Sequence, residues 1–234
     1  MEDLTPFQSQ NTTNEEINFV FNNGITNYIH PTAVIGENVK LGNNNYIGAF
    51  CYITGDTVIG DNNRFEAFCS VGTEPEHKAY FGKPNKGVII GNGNVFREYV
   101  TINAGCEKPT IVNDDVLMLK GSHIGHDSTI MSNCILACNV LIAGHSLLGR
   151  YVNMGLGSAC HQYSRIGSGS MIGMGTVITK KVNPKCFGLY VGTPPRCLKM
   201  NEHLMKQFTE EQIKEICDEF EKIEFIQRAT LRKK

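Results

Sequence analysis

Two histidines and an aspartate, His123, His126 and Asp127, crowd into the stretch from Gly121 to Asp127, whose other members are glycine, serine and isoleucine. An imidazole that titrates near neutrality can take a proton from a hydroxyl or amine as it attacks an acyl carbon, a role worth about 10² to 10⁴ in rate. Asp127 can orient such a ring only if the chain turns between the two residues, because neighbours on a strand point to opposite faces. No serine or cysteine near these histidines has a triad arrangement, and general-base chemistry of this kind requires no enzyme nucleophile.

The element that must position these residues is a repeat. Ile29, Ile35, Leu41, Ile47, Ile53, Ile59, Phe65 and Val71 are spaced by six; Ile90, Phe96 and Ile102 resume the spacing, and it runs again from Val112 through Met118, Ile124, Ile130, Leu136, Ile142, Leu148, Met154, Cys160, Ile166 and Ile172 to Ile178. A period of six suits neither a helix stripe nor a simple strand. It predicts an all-β solenoid, a parallel β-helix of hexapeptide repeats with three faces to a coil. Glycine follows many of these positions, as at Gly36, Gly48, Gly60, Gly125, Gly167 and Gly173, in keeping with short strands joined at tight corners. One buried aliphatic side chain contributes about 1.5–3 kcal/mol, and ordering each residue of the backbone costs about 1–2 kcal/mol. A lone hexad therefore cannot hold itself, and only stacked coils about 4.8 Å apart make a continuous core.

Three hexads to a coil also supply a ruler: residues eighteen apart stack. His126, Gly144 and Gln162 then form one column, and Asp127, His145 and Tyr163 the next, with His161 beside Gln162. Four histidines are thereby gathered within about two coils, and the Gly144 N–H, one coil above His126, is placed to meet an oxyanion, a contribution of about 10² to 10³. Two interruptions break the phase, residues 73–87, with Glu74, Glu76, His77, Lys78, Tyr80 and Lys83, and residues 103–110. Loops projecting from a rigid scaffold are frequent places for function; a solvated excursion is the plain alternative for both. Residues 1–27 read as an N-terminal cap or lead, 28–200 as the β-helix, and 201–234 as a helical segment. In that segment Thr209 and Gln212 make a capping box, and Ile213, Ile216, Phe220 and Ile223 mark an apolar face for docking.

These motifs together, from Ile29-His-Pro-Thr-Ala through the hexads, His123 to Asp127, Ile135 to Asn139, Ala143-Gly-His145 and His161-Gln162, resemble the UDP-N-acetylglucosamine acyltransferases of lipid A biosynthesis over roughly residues 28–228. The resemblance implies a left-handed coil, a homotrimer with active sites between subunits, and direct transfer from an acyl carrier protein thioester as co-substrate, with no tightly bound cofactor. Carried over by position, His126 is the general base, Asp127 its partner and Gly144 the oxyanion donor. His123, His145, His161 and Gln162 then line the donor and nucleotide-sugar site, and Met174 falls where acyl length is limited, arguing for a shorter chain. The first loop departs from the family pattern: His77 and Ala79 stand where an aspartate and a lysine are expected, which leaves Lys78 or Lys83 to serve the acceptor. Val191 to Arg196 resembles a segment of coenzyme A dependent sugar acetyltransferases, so Arg196 and a coenzyme A donor, acting on the amine of a nucleotide-linked amino sugar, form the alternative reading.

Two readings from other classes remain at this stage: a zinc enzyme using His123, His126 and His145, and a non-catalytic repeat scaffold. The formal net charge of −1 gives no reason to expect nucleic-acid binding, and no run of residues reaches the length of a membrane span. Nine cysteines without paired CxxC spacing, and a start lacking the basic and apolar parts of a secretory signal, point to free thiols and a cytoplasmic location.

Overall fold

The computed structural model describes residues 19–22 and 25–231; the remainder of the expected N-terminal lead and residues 232–234 lie outside it. Short strands, most of two residues, occur three to a coil and pair in parallel with their counterparts in the coils above and below. Three sheets result, here faces A, B and C in the order the chain visits them, with 11, 8 and 7 strands. Around the histidines the registers are Leu117 on Ile135, His123 on Leu141 and Thr129 on Leu147, the spacing that three hexads predict.

The repeat positions point inward and stack: Ile124 pairs with Ile142 and Ile142 with Cys160, and all are buried. Polar residues inside the coil are paired in the same direction. Asn27, Asn45, Asn63 and Asn94 are buried, and the Oδ1 of each accepts an N–H from the coil above, the last from Val116. Such a ladder removes the cost of unpaired amides in a narrow core.

Corner glycines are needed for closeness rather than for a left-handed backbone. A Cβ on Gly125 would lie 2.8 Å from the Gly144 nitrogen, and one on Gly48 2.9 Å from the Phe65 oxygen. The left-handed residue comes two positions later and is often not glycine, as at Asp127 (φ 62°), His145 (φ 58°) and Tyr163 (φ 66°). The side chains that could do chemistry thus occupy the position where the chain turns most sharply.

Both interruptions leave the coil at the corner between faces B and C, after the strands Ser70–Thr73 and Thr101–Asn103, and return to face C at Val88–Ile90 and Thr110–Val112. That is the corner of His126, one and two coils below it. At the far end the strand Gly188–Val191 pairs with the antiparallel strand Arg196–Met200, and two helices follow, α1 (Glu202–Met205) and α2 (Glu210–Leu231). Thr209 and Gln212 exchange the two bonds of a capping box at the start of α2. Phe220 packs on Met131 and Leu147, and Glu219 reaches Arg150 at 3.5 Å, so α2 lies on its own solenoid. Leu141 and Val177 on face B, Ile135 and Met171 on face A, and the stacked Phe50, Phe68 and Tyr99 on the corner between those faces stay exposed. No described helix is long and apolar enough to cross a membrane, and all nine cysteines are free thiols.

Candidate active site

The left-handed turn at Asp127 answers the question of strand alternation, because it swings the carboxylate back beside the preceding side chain. His126 Nδ1 lies 2.7 Å from Asp127 Oδ2, and both residues are buried. With Nδ1–H donating to the carboxylate, Nε2 carries the lone pair. Gly144 stands directly over the ring: a Cβ there would fall 2.8 Å from His126 Nε2. Among the described residues the Gly144 N–H takes no part in the backbone bonds between coils. The residue stacked on the His126 ring therefore carries a backbone N–H that stays outside the coil-to-coil ladder, a group able to serve a developing oxyanion.

Asp127 is held from below. The backbone N–H groups of Cys106, Glu107 and Lys108 donate to its carboxylate at 2.8 to 2.9 Å, and Thr110 Oγ1 accepts the Asp127 N–H. Burial by itself would raise the pKa of this carboxyl, but His126 and the three backbone donors outweigh it and hold the group well below the usual carboxylate range. Cys106 Sγ lies 3.5 Å from His126 Nδ1, and burial with the neighbouring Asp127 charge pushes that thiol up to about 12. Two neighbouring histidines are shifted toward the neutral form. Burial lowers His123 against the opposing pull of Glu76, and burial lowers His145 against that of Asp127.

Above the dyad lies a cleft of about 440 Å³, walled on one side by Leu141 to Gly144, Ala159 and Gln162, and on the other by Glu76 and His123. The first loop folds over this opening. Glu76 Oε2 comes within 3.5 Å of His123 Nε2, Thr101 Oγ1 within 2.8 Å of His123 Nδ1, and the His77 ring meets His126 edge to face at 5.8 Å. His145 stacks on Tyr163 at 4.6 Å and lies 3.8 Å from Asp127 Oδ2.

The structure therefore gathers His123, His126, Asp127, Gly144, His145, Gln162 and His77. It does not bring in the rest. His161 is exposed on the same corner with its Nδ1 against the Gln162 carbonyl, Lys78 is exposed in a short 3-10 turn, and Arg196 is exposed on the terminal hairpin. Met174, 73 % exposed, occupies the corner between faces A and B, away from His126 within one chain. Glu76, Thr101, Cys106 and Thr110 escaped the sequence reading as partners of the cluster. The signal was present in the phase, since both interruptions follow a face B hexad.

Within one chain His123, His126 and His145 do not bring three ring nitrogens close enough to share an ion. Among the described residues the one group of donors close enough to share an ion is Cys106, His126 and Asp127. That set fits a metal poorly: both Asp127 oxygens already accept two hydrogens each, and the Cys106 thiol is held protonated.

Residues 24–55 and 38–73 match the bacterial transferase hexapeptide model. An acyl-[acyl-carrier-protein]–UDP-N-acetylglucosamine O-acyltransferase of Campylobacter concisus is 33% identical over 191 residues, covering 80% of this chain and 72% of the relative. The enzyme of the same name from Helicobacter pylori is 38% identical over 144 residues, or 60% of this chain. For most of the curated relatives of this kind the match spans little more than half of the relative's length, 52% in that last case. Among solved structures, the UDP-N-acetylglucosamine acyltransferase of Campylobacter jejuni superposes with a TM-score of 0.69 at 29% identity, covering 82% of each chain.

Proposed function

Because the chain belongs to the UDP-N-acetylglucosamine acyltransferase family, we propose that it transfers an acyl group from an acyl carrier protein thioester to a hydroxyl of a nucleotide-linked sugar. The observation that carries this reading is the His126–Asp127 dyad stacked against Gly144, whose N–H takes no part in the bonds between coils. His126 Nε2 takes the proton of the acceptor hydroxyl as its oxygen attacks the thioester carbon. The resulting tetrahedral oxyanion accepts the Gly144 N–H, and as the C–S bond breaks the imidazolium gives its proton to the leaving sulfur, releasing the thiol and restoring neutral His126. Asp127 stabilises that imidazolium without itself becoming protonated, and His145 and Gln162 flank the acceptor.

The names of the relatives support an acyl carrier protein donor and oxygen as the acylated atom. Glu76 and His77 at the mouth of the cleft favour keeping a second acceptor, the amine of an amino sugar, in the same assay. A homotrimer would bury the exposed apolar residues of faces A and B, while α2 covers face C around Met131 and Leu147. With Met174 on the corner between those two faces, its part in limiting the acyl chain falls to a site shared between subunits. The test is thioester consumption and product mass with a panel of acyl thioesters and hydroxyl- or amine-bearing nucleotide sugars. His126→Ala is expected to lose at least about 10²-fold in kcat, and undiminished turnover would sink the mechanism.

A further inference from the structure

The second interruption is too well connected to be a passive loop. Gly105 N–H donates to the Gly87 carbonyl at 3.1 Å, its own carbonyl accepts Lys86 N–H at 2.8 Å, and Thr110 N–H returns to Gly87 at 3.2 Å, so the short insert is stitched to the end of the longer one. From that base three consecutive backbone N–H groups converge on a single carboxylate. Cys106 donates to Oδ2, Glu107 and Lys108 to Oδ1, and the remaining acceptor site on Oδ2 faces His126 Nδ1. A run of backbone donors curled around an anion needs no particular side chains, only a turn tight enough to aim them. Gly105 sets that turn, because a Cβ on it would run into the Lys108 carbonyl. Pro109 contributes by fixing its own φ and disfavouring a helical Lys108.

We propose that residues 105–109 form an anion nest whose role in the reaction is to position Asp127, with Gly105 as its key positioning residue. The proposal rests on the reading of His126 as general base and assigns the insert to the tautomer and orientation of that base rather than to substrate. With the nest intact, Asp127 is a fixed anion, Nδ1–H is committed to it and Nε2 is free to accept. With the nest opened, a buried carboxyl deprived of its donors drifts upward in pKa and protonates within the working range, and the imidazole loses the group that fixes its tautomer.

The test compares wild type with Gly105→Ala in the full chain by two readouts that a merely structural loop would not move. The first is the proton NMR signal of His126 Nδ1–H, expected far downfield in wild type from its 2.7 Å bond to the carboxylate, identified by its absence in His126→Ala, and measurable without any substrate. The second is the pH dependence of kcat/KM with acyl carrier protein thioester and UDP-N-acetylglucosamine. Gly105→Ala is expected to lose the downfield signal, to fall about 10²-fold in kcat/KM from misplacement of the base, and to shift the acidic limb of the profile to higher pH. Unchanged signal and unchanged limb in a folded variant overturn the proposal. If Gly105→Ala fails to fold, Pro109→Ala, which adds no atom to the turn, is read by the same two measurements, with smaller shifts in the same directions expected and none overturning the nest. Absence of acyl transfer in wild type would count against the proposed reaction alone, since the downfield signal still reports on the nest.

Discussion

At the scale of single residues, the site sets buried imidazoles, shifted toward their neutral form, around one fixed anion. Burial depresses the pKa values of His123 and His145 in the fold, while in the unfolded chain they return to about 6.5. Above that value both states hold these rings neutral; as pH falls below it the unfolded chain binds protons that the folded chain resists, and stability is lost. Denaturant midpoints should therefore drop between pH 7.5 and pH 5.5, and histidine NMR titrations should place both rings below the ordinary imidazole value. Gly144 makes a sharper demand. A methyl group there meets the His126 ring at 2.8 Å, so Gly144→Ala is expected to cost about 10²-fold in kcat by moving the base while leaving thermal unfolding nearly unchanged, as stopped-flow and calorimetry together would show.

At the scale of elements, the hexads were legible because one physical requirement, an inward apolar side chain every sixth residue, repeats without compromise. The column of His126, Gly144 and Gln162 followed from the same count and holds above residue 112, where no insert intervenes. Below it the count fails: Thr101 pairs with His123 and Ser70 with Thr101, four and thirteen residues beyond the regular eighteen. Glu76 and Cys106 therefore reached the cluster through a spacing that only pairing reveals, and the donors to Asp127 are backbone groups that leave no mark in residue type. The C-terminal helix was readable from its capping box and apolar stripe, but its seat on Met131 and Leu147 was not, since those residues are outward-facing positions of another element. Phe220→Ala should remove about 3 kcal/mol of local stability, and hydrogen exchange should show protection lost over residues 210–231 while the coils keep theirs.

At the scale of the whole molecule, the solenoid is a one-dimensional stack in which each coil touches mainly its neighbours. The coils carrying His126, Gly144 and Gln162 thus depend little on how many others lie beyond them. This gives the chain something like a reading frame. An insertion of one whole coil returns every later residue to its own face and corner, whereas an insertion of six turns all that follows by one face. Duplicating residues 47–64, below the first loop, should leave acyl transfer within a few-fold of wild type, and duplicating residues 131–136 alone, between His126 and Gly144, should abolish it, by the same turnover assay. The two natural inserts obey the rule, for neither is a multiple of six and each is extruded at a corner so that the count resumes in phase. Extra length in such a protein is silent or ruinous according to its remainder on division by eighteen, unless it leaves the frame as a loop, and this chain has placed both of its loops at the corner where the chemistry stands.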